Sequence, residues 1–289
     1  MPDVQITAGK PGSWDVSLPE RWNVGRHQNG GILLAAASSG LAATAGMPHP
    51  FTVTAHYLRA AAAGQATVRA TVIKPGRTAA TGTADLCQDG TERMRMIGTF
   101  GDLAARHRAG PSVPAAAPPI CGPDGCVDLF DLLVQSPSGQ RTLTRSLRNF
   151  AIRVDPAHGW GPDEHGHPAL SGWIRLHGEE TVGAGMLAGF ADGFPPTLLS
   201  QSDLGWLPTL ELTVHVLAVP VADEPWLRAE LRTRTVTGGL VDEDGELWDA
   251  AGQLVARFRQ LALLLDSSPA KPGRPERQAS ARSRPGSPA

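Results

Sequence analysis

Cysteine is scarce in this chain. Three in 289 residues cannot close a disulfide framework, and the odd count points to a reducing, cytoplasmic setting. An excess of charge is also missing: 26 basic against 28 acidic residues leave −2, so no general attraction to nucleic acid or an acidic membrane surface is expected. No run approaches the roughly 18 apolar residues that span a bilayer. The opening MPDVQITAGKPGSWDV lacks a basic patch followed by an apolar core, so no secretory signal is read there. Gly-x-Ser-x-Gly is absent as well, which argues against the nucleophile elbow of the α/β-hydrolases. Cys121 and Cys126 (CGPDGC) have no second cysteine pair or nearby histidine pair to complete a zinc set. The histidines of HGWGPDEHGHPALSG are loosely spaced among glycines and prolines, as in a polar loop. No metal and no cofactor are expected.

What is present is apolar residue enough for large cores (41%), arranged in two periods. Trp14 to Leu18 alternates like a short strand. In RHQNGGILLAAASSGLAATAG, Asn29 can cap a helix, Leu33, Leu34, Ala37 and Leu41 form its stripe, and Gly46 can end it. Small side chains all round that helix suggest one that is closely wrapped. From Phe51 the period becomes two, and FTVTAHYLR, TVRATVIK, RTAATGTADLC and ERMRMIGTF read as four strands. Ala61–Gly64, Pro75-Gly76 and Asp89-Gly90 punctuate them, and such short connections favour antiparallel neighbours. Residues 104–169 are dominated by alanine, proline and glycine without a sustained period and read as a connector. Then the order repeats: a strand at Trp173–His177, a helix over Thr181–Phe194, a loop, and four more strand candidates, with Asp244-Gly245 and Gly252 among the turns. Residues 266–289 have proline, serine, alanine and arginine without apolar anchors and are expected to be disordered.

The two halves also match residue for residue. A shift of 159 positions lays Thr54, His56 and Leu58 on Thr213, His215 and Leu217, and Arg69-Ala70 on Arg228-Ala229. The helices need a shift of 153, which lays Leu34-Ala35 on Leu187-Ala188 and Gly40 on Gly193; a longer helix-to-strand loop in the second half would cause the change. Two copies of one strand–helix–meander unit are therefore expected, over residues 1–103 and 170–265.

The second helix carries Val182, Met186, Phe190 and Phe194 on one stripe and is stopped by Gly193, Pro195 and Pro196. Asp192 sits just before that stop, where the negative end of the helix dipole disfavours a carboxylate. Two readings are open: a solvated aspartate at a fraying end, or a placed base. In the matching frames Asp192 falls opposite Ser39 and Thr209 opposite Pro50, so only the second copy keeps groups suited to hold a water. That asymmetry favours the placed base. Thr213 shares the strand face of Thr209 by the period of two, either lining the same pocket or simply packing. Gly30 and Gly31 offer backbone N–H groups at a helix start, either for an oxyanion or simply for close packing. Arg59, Lys74 and Arg77 are basic residues able to meet phosphates.

An antiparallel sheet wrapping a small-residue helix is the hotdog arrangement, and two in tandem form a double hotdog, an α+β fold. The sequence resembles the acyl-CoA thioesterase II family and its thioesterase-like relatives over roughly residues 14–103 and 170–265. The residues that carry the resemblance are Asn29-Gly30-Gly31, His56-Tyr57-Leu58-Arg59, Phe190-Ala191-Asp192-Gly193-Phe194-Pro195-Pro196, Thr209 to Thr213, and Gly252 to Ala256 followed by Gln260. The resemblance implies that Asp192, Thr209 and Gln260 hold a hydrolytic water; Gly30, Gly31, Thr213, Thr54 and His56 are expected toward the oxyanion or substrate. It implies hydrolysis of an acyl-CoA without metal; association of the tandem chain into a homodimer or higher homo-oligomer is expected besides. A carrier-protein-bound acyl group as substrate, or a non-catalytic acyl-binding module, are the other readings. Two departures make the first-half wall less polar: Gly-Gly-Gln reads Gly30-Gly31-Ile32, and a first-half histidine is replaced by Thr54.

Overall fold

The computed structural model describes residues 5–265 except 112, 114, 118, 136, 158, 179–181, 202–205 and 222–223. The C-terminal tail expected to be disordered, and Thr181 at the expected helix start, lie outside the described residues. Ten long elements of strand and two helices carry the architecture. The first half contains β1 (Ser13–Leu18), α1 (Gly30–Ala45), β2 (His49–Tyr57), β3 (Gly64–Lys74), β4 (Ala79–Gln88) and β5 (Thr91–Gly101). The second contains β6 (Pro168–Leu176), α2 (Leu187–Ala191), β7 (Thr209–Val216), β8 (Leu227–Thr237), β9 (Leu240–Trp248) and β10 (Leu254–Leu263).

These strands join one antiparallel sheet in the order β1-β3-β4-β5-β2-β7-β10-β9-β8-β6, so the second half repeats the order of the first in reverse. The seam is β2 against β7, where Thr54 pairs with Thr213, Thr52 with His215 and His56 with Glu211. Only the Thr54–Thr213 pair is 159 apart; on either side of it Thr52 meets the equivalent of His56 and His56 meets the equivalent of Thr52. A local two-fold axis must pass at the Thr54–Thr213 pair, whose hydroxyls lie 2.9 Å apart. The register confirms the shift read from sequence.

Alternation sorts the strands into two faces. Val53, Ala55, Leu212, Val214, Phe258 and Leu247 point inward and are buried, against α1 in the first half and α2 in the second. Helix α1 begins and ends where its caps predict: the Asn29 side chain accepts from the Ile32 amide, and Gly46 closes it in the left-handed conformation. All residues from Gly31 to Ser38 are buried, so the helix is wrapped rather than amphipathic.

The second helix departs from expectation. Instead of running from 181 to 194, it is a single 3-10 turn, Ala184–Met186, followed by Leu187–Ala191. Gly183, Gly185 and Gly189 weaken it by backbone entropy, and Gly193 with two prolines ends it. Asp244-Gly245 does not turn the chain either. It lies in mid-strand β9, where the Phe258 ring occupies the space above Gly245, and Gly238-Gly239 (φ +58° and +82°) make the turn.

Residues 104–169 are more built than their composition suggests. Phe150–Val154 extends the sheet beside β6, with Val127–Asp128 beyond it, and Leu129–Leu133 is a short helix. Trp22, Phe150 and Phe190 stack edge to face at 5.6 and 5.5 Å, tying this segment to both halves. The three cysteines are free, and among the described residues no group of His, Cys, Asp or Glu could hold a metal ion. No described helix is long and apolar enough to cross a membrane.

Candidate active site

The short α2 stops with Asp192 as its C-cap, aimed at the N-terminus of α1. Asp192 Oδ2 accepts from Asn29 Nδ2 at 2.7 Å and from the Gly31 amide at 2.8 Å, while Asn29 Nδ2 also reaches the Asp192 carbonyl at 3.0 Å. Asn29 therefore does two jobs: its oxygen caps α1, and its nitrogen clamps the carboxylate of the other half. An aspartate could do only the first. The unfavourable end of its own helix is answered by the favourable end of another. Gly31 permits this approach, since a Cβ there would lie 2.9 Å from Asp192 Cβ and 3.0 Å from the Gly189 carbonyl oxygen. Burial pushes the Asp192 carboxyl up to about 6, against the amides of Gly31, Asn29 and Gly30, which pull it down, and with Glu243 adding to the rise.

Thr209, Gln260 and Glu243 form a second hydrogen-bonded group in the lining of the same cavity. Thr209 Oγ1 donates to Gln260 Oε1 at 3.3 Å, and Gln260 Nε2 donates to Glu243 Oε1 at 3.0 Å. Glu243 Oε2 accepts from the Thr197 amide at 2.8 Å and its hydroxyl at 2.6 Å. Thr197, completely buried, sits just beyond Pro195-Pro196, so the residues that end α2 also deliver the support for Glu243. Burial also raises the Glu243 carboxyl above its usual range. The chain of bonds fixes the amide: its oxygen faces Thr209, and one N–H remains for the cavity.

Asp192, Thr209, Gln260 and Glu243 all line one cavity of about 650 Å³, with Leu33, Leu207, Val241 and Ala262 among its apolar walls and Arg59 at its edge. Gly30 lines the same cavity, and the remaining expected residues are placed differently. The Gly31 amide is committed to Asp192, so it supports the carboxylate rather than an oxyanion. Thr54, His56 and Thr213 are not in the cavity at all. A β-bulge between Thr209 and Glu211 breaks the period of two, so Thr209 faces the cavity while Thr213, like Thr54 and His56, lies on the outer face. Thr213 there donates to Glu211. Lys74 and Arg77 do not line the cavity either.

Sequence reasoning missed Glu243 and the clamp by Asn29. One signal for the first was available: in Val241, Glu243, Gly245 and Leu247 a glutamate occupies an inward slot of a strand. Nothing local announces the clamp, because its partners are 163 residues apart.

A family model for the acyl-CoA thioesterase N-terminal domain matches residues 18–101, and one for the acyl-CoA thioesterase C-terminal domain matches residues 123–264. Among solved structures, a candidate thioesterase II from Thermobifida fusca is 25% identical, with a TM-score of 0.77 over 91% of this chain and 96% of its own. The acyl-CoA thioesterase II TesB2 from Mycobacterium marinum is 17% identical (TM-score 0.71, 91% and 97% covered). A conserved protein of unknown function from Alicyclobacillus acidocaldarius, described as having the hot dog fold, is 18% identical (TM-score 0.74, 91% and 96%), and this chain shares that fold. An uncharacterized protein of Mycobacterium tuberculosis is 24% identical, covering 86% of this chain and 89% of that one.

Proposed function

Since the chain belongs to the acyl-CoA thioesterase family, we propose that it hydrolyses acyl-CoA thioesters with a water held between Asp192 and the Thr209–Gln260 pair, within a tandem double hotdog. The observation that carries this reading is a carboxylate raised to about 6, lining the same cavity as a hydroxyl and an amide whose orientations are already fixed. Such a carboxylate is a base matched to near-neutral pH. The water gives one proton to Asp192, donates to Thr209 Oγ1, and accepts from the free Gln260 N–H. Its remaining lone pair is then directed at the carbonyl carbon. Attack forms the C–O bond and sends the carbonyl π pair to oxygen. Collapse expels the sulfur, which takes the proton back from Asp192, giving free acid and thiol. Glu243 acts through Gln260: by accepting one amide N–H it keeps the carbonyl end on Thr209.

The test is thiol release from a panel of acyl-CoAs by wild type and Asp192→Asn. Loss of the base lowers turnover by about 100-fold or more. Equal rates would remove Asp192 from the mechanism. Turnover of a carrier-protein thioester but of no acyl-CoA would move the substrate to that class, and no turnover of either would leave an acyl-binding module.

A further inference from the structure

With the Gly31 amide spent on Asp192 and the free Gln260 N–H given to the water, the thioester oxygen needs another donor, and the cavity wall holds a buried hydroxyl that has no partner among the described residues. Tyr57 ends β2 on the inward face shared with Val53 and Ala55, and it lines the cavity together with Asp192. Its hydroxyl oxygen is shielded from bulk solvent and makes no hydrogen bond to any described residue. A buried hydroxyl without a partner is costly, so such groups are rare outside places where a ligand completes them. The ring is held rigidly from behind: a Cβ on Gly30 would come within 2.8 Å of Tyr57 Cζ and 3.0 Å of its hydroxyl oxygen. Each residue of the Asn29-Gly30-Gly31 run thus has a separate task. Asn29 clamps Asp192, Gly31 makes room for Asp192, and Gly30 makes room for Tyr57. Burial, and then the nearby Asp192 and Glu211 charges, raise the phenol well above its usual range, so it stays protonated and can only be a neutral donor toward an anion.

We propose that Tyr57 is the oxyanion donor, its hydroxyl hydrogen-bonding the thioester carbonyl oxygen and more strongly the tetrahedral oxyanion formed on water attack. This rests on the hydrolytic reading above. No proton is transferred from Tyr57; as the carbon–oxygen bond to water forms, the negative charge on the carbonyl oxygen is stabilised by that hydrogen bond, and on carbon–sulfur cleavage the oxygen becomes a carbonyl again. The donor is fixed before the charge develops, which is where such bonds act most strongly.

Tyr57→Phe tests it, because the substitution removes one unpartnered hydroxyl and keeps the ring against Gly30. With the acyl-CoA that wild type turns over best, kcat falls by about 100-fold, the scale of losing one oxyanion donor. KM changes by less than about 3-fold, the melting temperature does not fall, and the rising limb of the pH profile stays near 6, since Asp192 keeps its bonds. A second arm measures binding of two unreactive analogues of that acyl-CoA. In the ketone analogue a CH₂ replaces sulfur; in the thioether analogue the carbonyl is reduced to CH₂. Tyr57→Phe weakens the ketone several-fold and leaves the thioether unchanged. A kcat within about 3-fold of wild type, or equal weakening of both analogues, overturns the assignment while leaving the hydrolytic reading intact. Absence of turnover in wild type on any acyl thioester overturns both.

Discussion

Helix α1 runs sixteen residues over its half of the sheet, whereas α2 stops after five. In the matching frame Asp192 stands where α1 has Ser39, and where α1 continues through Leu41 the second half breaks off at Gly193-Phe194-Pro195-Pro196. Ser39 spends its hydroxyl on the Ala35 carbonyl within its own helix. Asp192 has no such option and is met instead by Asn29 and Gly31 of the other copy. The early stop has two consequences. It leaves room under the sheet for the cavity, and it carries Thr197 across to Glu243 on β9. One copy supplies a sixteen-residue helix whose N-terminus holds the Asp192 carboxylate, and the other supplies that carboxylate from the end of a five-residue helix.

Exchanging the matched positions tests that division most severely. Asp192→Asn lowers turnover by about 100-fold or more, while Ser39→Ala, outside the cavity, changes it by less than about 2-fold in the same thiol-release assay.

Next in size is the pH response. The Asp192 carboxyl sits at about 6 in the folded protein, above the usual carboxyl range near 4. Between those values the folded chain binds more protons than the unfolded one, so its contribution is most favourable below about 4 and is lost as pH rises through about 6. The expected loss for this enclosed group is on the order of 3 kcal/mol at most. Activity moves oppositely, since the base must be ionised: kcat/KM rises with pH with a midpoint near 6. Thermal unfolding of Asp192→Asn at pH 8 and pH 4.5 separates these effects. The variant is the more stable protein at pH 8, and the difference shrinks or vanishes at pH 4.5. A constant difference would mean that the charge is not the cause.

Gly31→Ala attacks the same contact from the other copy. The new Cβ must push Asp192 or the Gly189 carbonyl by a few tenths of an ångström. A loss of about 10-fold in kcat is expected, with destabilisation of about 1–3 kcal/mol measured by urea unfolding.

Much of this was readable in the sequence, and the exceptions share a cause. The caps Asn29 and Gly46, the alternation of ten strands and the shift of 159 are local or periodic signals, and the structure keeps each of them. The positions of Asp192, Thr209 and Gln260 in one cavity follow from that order. What failed depended on events that periodicity cannot register. A bulge at Leu210 turned Thr213 away from Thr209, glycines shortened α2, and Gly245 turned out to make room for Phe258 rather than a bend. The role of the glycines at 30 and 31 was open between packing and an oxyanion because only the three-dimensional partner, Asp192, decides where the Gly31 amide goes.

The smallest effects belong at the seam, where the two copies are most alike. Thr54 and Thr213 share a hydrogen bond on the outer face, and Thr213 donates its hydroxyl hydrogen to Glu211, so Thr54 is the donor of that pair. Both side chains are half-buried, and water can replace the bond in part. Thr54→Val therefore costs at most about 1 kcal/mol in urea unfolding, and neither Thr54→Val nor Thr213→Val changes turnover by more than about 2-fold. If either threonine lined the substrate cavity, as an unbroken period of two would require, KM would rise clearly in its variant. A KM shift at Thr213 alone would show that the bulge at Leu210 relaxes when substrate binds. Unchanged constants in both would confine the chemistry to the inner face and leave the local two-fold axis a purely structural join.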